Sequence, residues 1–124
     1  MGIEPGLSAR QEFEVTEGLT TDVSGTSLTP VLATPRMIGL MEWAAMQAIW
    51  EHLPDGTTCV GFEVCVRHVA AAPVGSNCVA TAVLREVVDG RKLRFDVEVT
   101  SDGRTIGIGT HERRLTQVAE FANQ

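Results

Sequence analysis

Three side chains in this 124-residue sequence pair a reactive group with a telling position: Glu42, His68 and Thr34. Glu42 interrupts an apolar run from Met37 to Trp50. At about 100° per residue it projects between Ile49 and Leu53, close to Ile38 and Met46. A carboxylate on such a face is disfavoured in its charged form and is then useful as a nucleophile or general base, unless it is merely bonded to a backbone N–H or an arginine. His68 ends a row of apolar side chains, with an unperturbed pKa near neutrality; a satisfied core histidine is the competing role. Thr34 precedes Pro35 where a helix should begin, and an N-cap role would account for it by itself. His52, at the far end of that helix, fits a purely structural place beside the negative end of the dipole.

The elements that position these residues follow from periodicity. Thr34-Pro35 starts a helix and Pro54-Asp55-Gly56 stops it, which predicts a span from Pro35 to His52. Met37, Ile38, Met41, Ala44, Ala45, Ala48 and Ile49 form one broad arc, and Met46, Trp43 and Trp50 extend it. The helix is apolar nearly all round and must be covered on several sides. Strands are expected over residues 10 to 16, Thr57 to Val69, Asn77 to Val88, Lys92 to Ser101 and Thr105 to Thr116, with Asp89-Gly90 and Asp102-Gly103 as hairpin turns. In the second strand, Val60, Phe62, Val64 and Val66 should share the helix-facing side with His68, leaving Cys59, Gly61, Glu63, Cys65 and Arg67 outside. Residues 16 to 30 read as a loop. This order predicts an α+β hot-dog fold, one long central helix wrapped by a curved antiparallel sheet, as a single domain over residues 1 to 124. On one straight helix, Thr34 and Glu42 stand about 12 Å apart along the axis. Either the segment at Thr34 bends back, or the two meet across a dimer interface.

Composition removes several function classes. The 10 basic residues against 16 acidic ones give a net charge of -6, which opposes binding to nucleic acid or an anionic membrane. Residues 1 to 60 hold eight acids and two bases, whereas residues 61 to 124 hold eight of each, so an anionic ligand is expected nearer the second half. Cys59, Cys65 and Cys78 form no CxxC pair, and Glu4, Arg10, Glu12, Glu14 and Glu17 occupy the stretch where a secretory leader needs an apolar core. A reduced, cytoplasmic protein is expected. No zinc-binding spacing joins the three histidines, so no metal is expected. GxSxG, phosphate-loop and complete GxGxxG patterns are also missing.

Three blocks resemble a known family: Gly39-Leu-Met-Glu42-Trp-Ala44, Val66-Arg-His68-Val-Ala-Ala71 followed by Pro73, and Gly109-Thr-His-Glu-Arg113. Together they are similar to hot-dog thioesterases related to fluoroacetyl-CoA thioesterase, over roughly Val31 to Phe121. The resemblance implies hydrolysis of a small or medium acyl-CoA to the free acid and CoA, with Thr34, Glu42 and His68 as the catalytic set. It also implies that Gly61 and Arg113 shape the acyl pocket. No cofactor is implied beyond the CoA carried by the substrate. The family's lid phenylalanines are missing from Thr21 to Val31, which separates this chain from fluoroacetyl specificity. The CoA phosphates need cations, and Arg91, Lys92 and Arg94 at one hairpin are the candidates. Exposed tryptophans and edge-to-edge pairing in the family imply a homodimer, or a tetramer of dimer pairs. The rival readings are a non-catalytic acyl-CoA-binding or interaction module, and a hot-dog hydratase, whose usual Asp–His spacing is absent.

Overall fold

A computed structural model describes residues 2 to 122. Strand β1 spans Ser8–Glu14 and helix α1 spans Thr34–Ile49, continued by a 3-10 turn over Trp50–His52. Then come β2 (Thr57–His68), β3 (Asn77–Val88), β4 (Lys92–Ser101), β5 (Arg104–Gln117) and a terminal helix α2 (Val118–Ala122). The strands form one antiparallel sheet in the order β1-β3-β4-β5-β2. Asp89 and Gly90, like Asp102 and Gly103, all adopt positive φ, the conformation that tight hairpins of the right twist require.

The helix buries Met37, Met41, Ala44, Ala45, Ala48 and Ile49. They meet an inner sheet row that includes Ala80, Ala82, Leu84, Leu93, Phe95, Val97 and Val99. Small residues on both surfaces let helix and sheet approach closely, and Phe95 is the largest of the fully buried side chains. The expected α+β hot-dog architecture is therefore what forms, with α1 lying in the concave face. One curled sheet does not cover the whole helix: Trp43 and Trp50 stay 52% and 56% exposed.

Strand β2 departs from the expected side-chain alternation. The alternation in β2 is broken by a bulge between Gly61 and Glu63, with Gly61 opposite Arg113 and Glu63 opposite Glu112. Before the bulge the odd positions Cys59 and Gly61 face the helix; after it the even positions Val66 and His68 do. Phe62 turns to the other face, where the Arg114 guanidinium stacks 3.5 Å from its ring centre. The extra residue is invisible to a period-2 reading, because the apolar side chains keep alternating straight through it.

Two glycines in β5 show how closely the layers approach. A Cβ on Gly107 would overlap the end of the Met37 side chain, and one on Gly109 would overlap the Cys65 carbonyl and the Val66 backbone of β2. A methionine tip can swing aside, but paired strand backbone cannot. Gly109→Ala should cost about 1–3 kcal/mol in urea unfolding and Gly107→Ala less; the reverse order would show that β2 and β5 part more easily than Met37 moves.

Candidate active site

The chemistry-bearing residues form two groups. In the first, the Thr34 hydroxyl lies 2.8 Å from His68 Nδ1. Thr34 is not the N-cap: Ala33 takes that position with extended backbone, Thr34 is the first helical residue, and no side chain caps the helix. Inside the first turn its hydroxyl cannot reach the N–H groups ahead, so it is free to bridge to the end of β2. His68 Nε2 is buried and, among the described residues, lacks a hydrogen-bond partner. Where the Thr34 hydroxyl donates to Nδ1, the ring proton sits on Nε2.

The second group surrounds Glu42. Its Oε2 lies 3.9 Å from Arg113 Nη1, with the carboxylate side chain 39% and the guanidinium side chain 11% exposed. Half-exposed, Glu42 is not the fully desolvated carboxylate that its apolar helix face suggested; the single sheet leaves one side of α1 open. Gly61 sits beneath it, and a Cβ there would come within 3.0 Å of Oε2. That contact gives Gly61 a physical reason: the strand must pass under the carboxylate without a side chain.

Two further residues hold this group and were not singled out from the sequence. Arg113 Nε donates to Cys59 Sγ at 3.0 Å and Nη2 to the Cys59 carbonyl at 3.3 Å, while Nη1 donates to His111 Nε2 at 3.3 Å. His111 is only 2% exposed, and its Nδ1 donates to the Glu63 carbonyl at 2.8 Å. Burial, with the positive charge of Arg113 assisting, pulls its pKa below the ordinary 6.5, against smaller opposing effects of the Glu63 bond and Glu42. The signal was present in β5, where Gly107, Gly109, His111 and Arg113 alternate along the helix-facing row.

Residues 15–119 match the family model described as fluoroacetyl-CoA-specific thioesterase. The chain belongs to this family. It is 42% identical over 91 residues to the fluoroacetyl-CoA thioesterase of Streptantibioticus cattleyicolor, a match spanning 73% of this chain and 65% of that relative's length. The solved fluoroacetyl-CoA thioesterase FlK superposes with a TM-score of 0.87 at 33% identity, covering 99% of this chain and 95% of that one. A thioesterase superfamily member of Thermus thermophilus superposes with a TM-score of 0.88 at 28% identity, covering 98% of this chain and 89% of that one.

Within this thioesterase-family scaffold, the hairpin cations are not gathered with Glu42. Arg94 pairs with Glu86 at 2.9 Å and with Glu112 at 3.0 Å, on the face of the sheet away from the helix, and Lys92 reaches Asp89 at 3.8 Å. Arg114 also binds Glu112, at 2.6 Å. The hydrogen bond from Arg114, aided by Arg94, holds Glu112 below the usual carboxylate pKa although burial opposes it. Arg91 instead lines a surface pocket with Pro54, Thr57, Leu115 and Gln117.

A histidine held neutral by burial makes stability depend on pH. The unfolded chain takes up a proton on His111 below about pH 6.5 while the folded chain resists it, so stability falls as pH drops through that value. Unfolding free energy measured between pH 7 and 5 should decline, and His111→Gln should flatten the decline; an unchanged slope would place the proton uptake elsewhere.

Proposed function

We propose that this chain, acting as one hot-dog domain, is a cytoplasmic acyl-CoA thioesterase. It would hydrolyse a small or medium acyl thioester to acid and CoA, with no cofactor besides the CoA of its substrate. Family membership supports the reaction class. The observation that carries the mechanism is the Thr34–His68 bond, which leaves a buried Nε2 without a partner among the described residues. In this reading Thr34 orients His68. Glu42 takes a proton from water, whose oxygen attacks the thioester carbonyl, or attacks that carbon itself to give an acyl anhydride that water then hydrolyses to the acid and free Glu42. As the tetrahedral adduct collapses, the C–S bond breaks and His68 Nε2–H protonates the departing thiolate. Arg113 and Gly61 shape the acyl site around Glu42. The absence of phenylalanine from Thr21 to Val31 argues for acyl groups beyond fluoroacetyl. Of the three hairpin cations, Arg91 is the best placed for a CoA phosphate, since Lys92 and Arg94 are engaged by carboxylates.

Within one chain the two groups lie too far apart to share a substrate carbonyl. Along β2, Gly61 and His68 are separated by roughly 20 Å. A second copy removes the difficulty. β2 is an edge strand of 12 residues, exposed from Gly61 to Cys65, and such an edge invites pairing. Antiparallel pairing about a two-fold axis near Val64 and Cys65 would bring His68 of the partner subunit opposite Gly61, beside Glu42. The homodimer is thus part of the proposed site, and a tetramer would add nothing to the chemistry.

The test is a panel of short, aromatic and long acyl-CoAs incubated with a thiol reagent. Thiol release is expected, and Glu42→Gln should lower kcat by about 100-fold or more with the fold intact. Wild-type turnover by that variant, or saturable binding with no thiol release, would overturn the reading in favour of a binding module. Mixing the Glu42→Gln and His68→Ala proteins under subunit exchange should restore up to about a quarter of the activity, because each mixed dimer regains one intact site. If both groups belonged to one chain, mixing would restore nothing.

A further inference from the structure

We infer that His111 is a positioning residue for the acyl site: a neutral imidazole that aims the Arg113 guanidinium at Glu42 over Gly61, with Cys59 as its counterpart on the other side of the guanidinium. The inference rests on the acyl-CoA reading above for its functional consequence, but its geometry stands independently.

Donors and acceptors fix the state of the ring. Nδ1 of His111 lies 2.8 Å from the Glu63 carbonyl, which can only accept, so Nδ1 carries a proton. Nε2 lies 3.3 Å from Arg113 Nη1, which can only donate, so Nε2 carries none. Both contacts are satisfied by a single state of the ring, the neutral Nδ1–H tautomer; a charged His111 would set N–H against N–H. Stacking on Phe95, with centroids 6.2 Å apart and planes 27° from parallel, fixes the ring plane. The bulge in β2 matters here, because the shift between Gly61 and Glu63 interrupts the ladder beside the Glu63 carbonyl that accepts from the ring.

Cys59 completes the cradle. Its sulfur and carbonyl take Nε–H and Nη2–H, and its thiol points to Met46 Sδ at 3.3 Å, which leaves a sulfur lone pair for the guanidinium. Three N–H groups of Arg113, one each from Nε, Nη2 and Nη1, are thereby engaged on rigid strand positions, and the second N–H of Nη1 is left on the side of Glu42 Oε2. A charge held in this way need not reorganise when the acyl group arrives. The charged groups facing His111 are Glu42 from α1 and Arg113 from β5, while Glu63, Arg85, Glu86, Arg94 and Glu112 share a pocket lining with it.

The experiment compares His111→Phe, which keeps a ring over Phe95 but offers no acceptor, with His111→Gln, whose amide oxygen can take the place of Nε2. The Phe variant should lose about tenfold to 100-fold in kcat with KM within about threefold, and Gln should recover most of it. In an Arg113→Lys background the Phe substitution should cost less than about threefold, since its effect runs through the guanidinium. Nitrogen NMR of the imidazole should show Nδ1 protonated and Nε2 bare, and Arg113 Nε–H should exchange slowly in wild type and faster in the Phe variant. Undiminished kcat in the Phe variant, full additivity with Arg113→Lys, or a protonated Nε2 would each overturn the inference. If no acyl-CoA is turned over at all, the acyl-CoA reading falls, and the imidazole nitrogens and the Arg113 exchange rate decide by themselves whether His111 holds the guanidinium.

Discussion

The packing of α1 into the concave face of the sheet is the constraint on which the rest depends. Its buried residues contribute most of the apolar contact between the layers, and Phe95, Leu84, Leu93 and Val97 fill the space opposite them. Because the helix is pinned along its length, Thr34 at its first turn and Glu42 at its middle are placed by the same contacts that stabilise the fold. Burial of apolar surface thus does the positioning, and few polar interactions are needed to hold the reactive groups. The side of α1 that the sheet cannot reach remains open, with Trp43 and Trp50 along it and Glu42 half-exposed.

The two faces of the sheet handle charge differently. Toward the helix, Arg113 lies deep and is satisfied by a cysteine, a neutral histidine and a loosely held carboxylate. Such a group keeps some capacity for a ligand. On the opposite face Glu112 is gripped by Arg94 and Arg114, and Arg94 is shared with Glu86. Those charges neutralise one another within the fold. Residues two apart in β5, Arg113 and its neighbours His111 and Leu115, therefore belong to a different chemical setting from Glu112 and Arg114, although all are adjacent in sequence.

Edge strand β2 joins these themes. Its first half passes beneath Glu42 at Gly61, its bulge turns Phe62 outward under Arg114, and its last residue presents His68 to Thr34. A strand that touches both groups and, among the described residues, is unpaired along one side leaves its backbone donors and acceptors open to a neighbour. The two-fold partner of the proposed homodimer would satisfy them with no new sequence, since the same edge would supply both halves of the contact.

Much of this protein was legible from residue order. Period and punctuation predict the long helix, with Pro35 at its start and Pro54 after its end, and the Asp-Gly pairs predict hairpins that the positive φ values match. Strand β4 alternates as expected, with Leu93, Phe95, Val97 and Val99 buried toward the helix. The resemblance blocks also pointed to the family, whereas the helix carboxylate and strand histidine they join stand in separate groups within one chain. Tertiary structure alone decided the rest. The direction of the Thr34 hydroxyl depends on where β2 ends, the bulge at Phe62 leaves the alternation of side-chain types untouched, and the commitment of Arg94 to Glu112 depends on strand register. His111 and Cys59 acquire roles only because β5 and β2 lie side by side around Arg113. Local sequence specifies the elements, since propensity and periodicity act over a few residues; which donor meets which acceptor is set by contacts between residues about 50 positions apart.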